Sequence, residues 1–246
     1  MAFNPRQAQQ EAKYAFPYHY LENRSSISGI VYFAYLLRAR KLLLSHPAGR
    51  VLDAGCGDGR FVAFVHEAAP QCRIEGLDYS ESALAFARIY NPQTSFTCAD
   101  VSAAAWPPGT FDVVTLIEVV EHIIPDQLAA MLAACGRLLA PGGAIIITTP
   151  TTNERKMSKA HYQHCTRATI TDVLSKAGLR VASIEGNFRD SAIQRLFQGL
   201  VQNRLFEIRF RPCLDFYRWC FDRFWTYCPV EKGRRMIVVA EAAAPN

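Results

Sequence analysis

From residue 50 onward, short apolar runs alternate with stretches in which apolar side chains recur every three or four positions. The runs at 51–53, 74–78, 95–99, 111–117, 144–148, 179–184 and 236–240 read as buried strands. The periodic stretches at 61–67, 81–90, 126–139 and 166–177 read as helices. In 126–139 the residues Leu128, Met131, Leu132, Cys135, Leu138 and Leu139 share one helical face. Ser80 and Thr166 stand where N-caps belong, and Gly178 where a left-handed stop belongs. Strands alternating with amphipathic helices predict right-handed βαβ units, hence an α/β fold with a mostly parallel sheet covered on both faces. In such a sheet, ligands sit beyond the carboxyl ends of the strands, near the point where strand order reverses.

Two stretches fall outside this alternation. Residues 1–47 form a candidate N-terminal helical cap, with Tyr14, Phe16, Tyr18, His19 and Tyr20 followed by a helix over 27–44 that Pro47 and Gly49 end. It either covers the site or packs on the sheet. Residues 187–232 delay the final strand and are rich in aromatic residues, among them Phe197, Phe206, Phe210, Phe216, Tyr217, Trp219, Phe221, Phe224, Trp225 and Tyr227. Arg195, Arg204, Arg209 and Arg211 lie among them. The readings are a substrate lid, a helical hairpin that packs on the sheet or forms a homodimer surface, or a shallow membrane contact. The core then comprises 48–186 and the final strand and tail 233–246.

Composition narrows the class. Of 246 residues, 50% are hydrophobic and 20% charged, the balance of a globular chain. A net charge of +5 without long basic runs permits an anionic substrate and does not call for nucleic acid. The apolar stretch 30–44 is broken by Arg38, Arg40 and Lys41, so no transmembrane segment is expected. No secretory pattern opens the chain, and its eight cysteines include no Cys-x-x-Cys pair, which reads as reduced thiols in a cytoplasmic protein.

The chemistry gathers around Asp53-Ala54-Gly55-Cys56-Gly57-Asp58-Gly59, a turn from the first strand into the next helix. Glycines there let main-chain N–H groups approach a ligand closely. A dinucleotide loop would need a third glycine where Arg60 stands. The stretch instead resembles the first motif of the class I S-adenosylmethionine-dependent methyltransferases. That resemblance extends to Asp78 after the second strand, Asp100-Val101 after the third, Ile117 on the fourth and Pro141-Gly142-Gly143 before the fifth.

It implies a Rossmann-like seven-stranded sheet with an antiparallel last strand, and S-adenosylmethionine as cofactor. Asp53, Gly55, Cys56, Gly57 and Gly59 would form the cradle, Asp78 would meet the ribose and Asp100 and Val101 the adenine, Ile117 would pack on the cofactor, and Tyr79 would belong to the same site. The family joins its last two strands by a short hairpin, so 187–232 is a departure.

Glu118-Val119-Val120-Glu121-His122 resembles the matching segment of ubiquinone-biosynthesis O-methyltransferases and of small-RNA 3′-terminal 2′-O-methyltransferases. If helical, it puts Glu118, Glu121 and His122 on one face; the readings are ligands for Mg²⁺ or Mn²⁺, His122 as base or substrate contact with Glu121 beside it, or a structural role alone. His164, in His161-Tyr162-Gln163-His164-Cys165-Thr166, is a second candidate base or ligand, with Cys165 where an aromatic is usual. The expected function is methyl transfer to oxygen, with nitrogen the lesser expectation, of a small or lipid-like molecule, hydrophobic or aromatic. The alternatives are methylation of an RNA 3′ end, or a non-catalytic cofactor-binding or regulatory partner.

Overall fold

A computed structural model describes residues 4–22, 26–46, 49–154, 156–202 and 210–243. Pro47, Arg204, Phe206 and Arg209 lie outside the described residues. The elements are α1 (Pro5–Glu11), α2 (Ile27–Ser45), β1 (Arg50–Ala54), α3 (Arg60–His66), β2 (Arg73–Asp78), α4 (Glu81–Tyr90), β3 (Phe96–Cys98), β4 (Phe111–Ile117), α5 (Pro125–Leu138), β5 (Leu139–Pro150), α6 (Arg167–Lys176), β6 (Leu179–Arg189), α7 (Ala192–Val201), α8 (Arg211–Cys220), β7 (Tyr227–Cys228) and β8 (Gly233–Ala242). Short 3-10 turns lie at Ala12–Ala15, Tyr18–Leu21 and Val120–His122.

The strands form one eight-stranded sheet in the order β3-β2-β1-β4-β5-β8-β6-β7. β1 to β5 pair in parallel, and β8 runs antiparallel between β5 and β6. This is the expected Rossmann-like architecture with one strand more than the seven expected. The addition is β7, two residues at the end of the insertion that pair with Gly186 and Asn187 of β6. So short an element carries no period that a sequence could show.

Successive strand residues divide between two cores, as a period of two requires. Val114, Ile145, Ile147 and Val238 pack with Leu128, Leu132 and Leu174 of α5 and α6. Their neighbours Val113, Ile146 and Ile237 pack on the other face with Leu36 and Leu43 of α2 and Phe61, Phe64 and Val65 of α3. The predicted caps are present: Ser80 Oγ accepts from Ala83 N–H at 3.0 Å, and Thr166 forms a reciprocal box with Thr169. Cys165, in place of the usual aromatic, is buried in the core beneath α6.

The insertion builds a third cluster, in which Phe188, Val201, Leu214, Tyr217, Phe221 and Trp225 close on Ile27, Ile30 and Ala34 of α2. Among the described residues, none of 187–232 lines the cavity described below. Among them, too, no helix is long and apolar enough to cross a membrane.

Candidate active site

The sheet order reverses between β1 and β4, and the carboxyl ends of β1, β2 and β4 open into a cavity of about 420 Å³. Its floor is the turn after β1. Gly55 and Cys56 donate N–H bonds to the Leu77 carbonyl at 2.7 and 3.0 Å, which ties the turn to β2. Gly57 has φ +53, and a Cβ there would lie 2.5 Å from the Tyr14 hydroxyl. The loop can therefore only be glycine at this point while the N-terminal segment rests on it.

Two buried acids flank the turn. Asp78 accepts N–H bonds from Gly57 at 2.8 Å and Ser80 at 2.9 Å. Asp53 accepts the Thr115 hydroxyl at 2.6 Å. Burial raises both carboxyls, Asp78 to about 6 and Asp53 to about 7, although those hydrogen bonds oppose it. Two carboxyls held near neutrality by desolvation suit a cationic guest, which would restore their charge. Asp100 and Val101 complete this side, with Asp100 capping the turn at Ser102.

Every expected cofactor residue lines the cavity except Gly59. Gly59 is the left-handed N-cap of α3, and a Cβ there would meet Asn91 Nδ2 at 2.7 Å. Its glycine serves the packing of α3 on α4.

The other side departs further from expectation. Glu118 has φ +55, so 118–122 is no helical turn, and the 3-10 turn starts only at Val120. Glu118 consequently points to β8: Arg235 Nε donates to its Oε2 at 2.8 Å, and the Thr148 hydroxyl to its Oε1 at 3.1 Å. The groups that converge are Glu121, His122 and His161, with ligand atoms within 4.8 Å of one another. One carboxylate with two imidazoles is poor chemistry for Mg²⁺, which asks for oxygens. Glu118, which would supply a further carboxylate, is engaged by Arg235. The expected trio of Glu118, Glu121 and His122 is not assembled, the three that converge do not suit Mg²⁺, and no step is derived through a metal ion.

Glu121 is buried, accepts the Thr149 hydroxyl at 3.2 Å, and is raised well above the usual carboxylate range by desolvation and then by Glu118. His122 Nδ1 lies 3.1 Å from the Ala160 carbonyl, an acceptor only. Nδ1 therefore carries the proton, and Nε2 keeps its lone pair. Burial lowers this imidazole to about 4, so it is neutral at pH 7.

His161 also lines the cavity, its ring 4.7 Å from that of His122. His164 does not line it and instead meets His161 Nδ1 at 3.1 Å through Nε2. Of that histidine pair, sequence reasoning singled out the member that stands behind.

It also missed how the N-terminal segment closes the site. His19 meets Asp58 with its backbone N–H at 3.3 Å and with Nδ1 at 3.0 Å. Arg6 donates to the His161 carbonyl at 2.5 Å and stacks over Tyr162, whose hydroxyl donates to Asn4 at 3.0 Å. The aromatic cluster signalled this segment, but no spacing rule linked it to residues 58 and 161.

Comparison with known proteins matches this geometry. A family model for a methyltransferase domain matches residues 51–143. A Mycolicibacterium smegmatis protein described as a probable S-adenosylmethionine-dependent methyltransferase is 29% identical over 187 residues, 72% of this chain and 71% of that protein. Residues 51–143 thus match a methyltransferase domain, and the chain is similar to S-adenosylmethionine-dependent methyltransferases.

The ubiquinone biosynthesis O-methyltransferase of Thiobacillus denitrificans is 41% identical over 111 residues, 43% of this chain. That match spans 46% of the relative, so the methyltransferase shares under half the length of such proteins. Solved structures show the same fold. A methyltransferase from Archaeoglobus fulgidus superposes with TM-score 0.60 at 19% identity, covering 84% of this chain and 92% of its own. The Burkholderia thailandensis 1,6-didemethyltoxoflavin-N1-methyltransferase, with bound substrate and S-adenosylhomocysteine, superposes with TM-score 0.59 at 17% identity, covering 99% and 92%.

Proposed function

We propose that this methyltransferase transfers the methyl group of S-adenosylmethionine to a hydroxyl oxygen of a small or lipid-like molecule, with His122 as general base. The observation that carries this reading is the neutral His122 ring, fixed by Ala160 with Nε2 left as acceptor in the cavity that Asp53 and Asp78 also line. The cofactor supplies a methyl already activated by a sulfonium. What remains for the protein is to orient and desolvate the acceptor and to take its proton.

Charge accounts for the pairing. The acceptor oxygen forms a bond to the methyl carbon as the carbon–sulfur bond breaks, its electron pair staying on sulfur. The sulfonium charge disappears while the hydroxyl proton appears on Nε2. The cavity thus keeps one positive charge throughout, and the low basicity of the empty-site imidazole does not oppose transfer as it would in isolation. Glu121 lies beside the ring, and as a carboxylate it favours the imidazolium as it forms.

The match to O-methyltransferases across 111 residues supports an oxygen acceptor. Eight free cysteines suit a reducing, cytoplasmic setting.

The test is transfer of labelled methyl from S-adenosylmethionine into a metabolite extract, with and without a chelator. Label in small molecules, unaffected by chelator and lost in His122→Ala, is the expected result. Label in RNA, or cofactor binding without transfer, would overturn the reading.

A further inference from the structure

Helix α7 is turned inside out. Ile193, Leu196 and Leu200 follow one another at helical spacing yet are 74%, 68% and 62% exposed. The polar Gln194 is fully buried instead and donates to the Tyr217 hydroxyl at 3.2 Å. Helix α8 repeats the arrangement. Leu214 and Tyr217 pack inward against α2, while Phe216 and Trp219 stack at the surface with ring centroids 6.0 Å apart. Phe224 meets Trp219 edge-on at 5.8 Å, and Phe197 of α7 joins the group 5.9 Å from Phe216. The two helices thereby present one apolar surface, half of it aromatic, that the described residues leave exposed.

Charge decides what covers it. Residues 187–232 hold eight basic and five acidic side chains. Exposed Arg211, Arg218 and Arg223 alternate with the surface rings along the chain and outnumber Asp215 and Asp222 among them, Arg211 lying 3.9 Å from Asp215; the Arg223 guanidinium lies 5.5 Å from the Phe224 ring. The excess of basic over acidic side chains in this segment favours an anionic partner over a second copy that carries the same excess. An anionic headgroup layer accepts both components, since aromatic rings settle at headgroup depth and arginines pair with phosphates.

We propose that α7 and α8 form a docking surface for an anionic phospholipid bilayer, with Leu196, Leu200, Trp219 and Phe224 entering the acyl boundary and the arginines held at phosphate level. The surface lies outside the cavity, so this proposal stands independently of the reaction proposed above.

The experiment is co-sedimentation of the full chain with vesicles of phosphatidylcholine alone and of phosphatidylcholine with phosphatidylglycerol. Binding to the anionic vesicles that weakens as salt rises is expected. L196S/W219S should lower it on the order of tenfold, because two apolar anchors are lost. The variant's thermal transition and its calorimetric titration with S-adenosylhomocysteine should be unchanged, since both side chains face solvent. No binding to anionic vesicles, or binding that the variant leaves intact, overturns the proposal. So would a wild-type dimer, absent from vesicles, that the variant converts to a monomer, which would assign the surface to a second copy.

Discussion

The two sides of the cavity are built by different means. On the cofactor side, the lining comes from the ends of β1, β2 and β4 and the turn after β3, with Asp53, Asp78 and Asp100 at the ends of the first three strands in turn at intervals set by successive βαβ units. On the acceptor side, Glu121, His122, His161, Arg6 and Arg235 come from four separate segments. A site of the first kind is fixed by the sheet, whereas the second depends on loops and an N-terminal segment held by side-chain bonds. Binding of cofactor and turnover should therefore fail separately.

The largest expected effect lies on the acceptor side. Removing a general base costs about a hundredfold to ten-thousandfold in rate, so His122→Ala should lose that much turnover in methyl-transfer assays. Its cofactor affinity should stay within about threefold, because His122 makes no bond to the glycine turn. Equal losses in both would erase the distinction between the two sides.

Asp78→Ala comes next, as a loss of affinity. It removes the acceptor that fixes Gly57 and Ser80 and that would meet the ribose hydroxyls. Two charge-assisted bonds, each roughly 1.5–3 kcal/mol, amount to about a hundredfold or more in Kd, read by calorimetry.

Gly57→Ala should destabilise the fold by about 1–2 kcal/mol from left-handed strain alone, and further through contact with Tyr14. Adding Tyr14→Phe removes the atom that stands 2.5 Å from the new Cβ and should recover the second part only, measured by denaturant unfolding. No recovery would mean that the N-terminal segment does not rest on the turn.

A smaller effect comes from pH. Asp78 and Asp53 bind protons up to about 6 and 7 in the empty site. A cationic ligand favours their charged forms and so releases protons. Affinity for S-adenosylmethionine should then rise as pH rises from about 5 to about 7, by up to roughly tenfold per unit while one group titrates, and level off above. Asp53→Asn should flatten the upper part of the curve.

His164→Ala is the smallest. Because it acts through His161, it should slow turnover only about threefold to tenfold, the worth of one neutral hydrogen bond.

The same contrast explains what the sequence could convey. Asp53, Asp78, Asp100 and Ile117 were legible because a strand end followed by a loop is a local pattern, and the parallel sheet aligns such ends on one edge. Gly59 carried the same signature but answers to helix packing against Asn91, which no glycine spacing distinguishes. Glu118 was misplaced because its positive φ breaks a turn that residue spacing alone makes look helical. Arg235, which captures Glu118, lies 117 residues away in the last strand, so no local window contains both. The insertion misled in a related way. Its aromatic residues divide between an inner set packed on α2 and an outer set in solvent, with Gln194 buried where periodicity would place a leucine.

The most direct test of a cofactor cradle and a separate proton acceptor sharing one cavity is a calorimetric titration with S-adenosylhomocysteine, run in parallel on wild type, Asp78→Ala and His122→Ala. The account predicts one site per chain in the wild type, the same site at near-equal affinity in His122→Ala, and none detectable in Asp78→Ala. Equal binding by all three, or heat only with a nicotinamide dinucleotide, would contradict it.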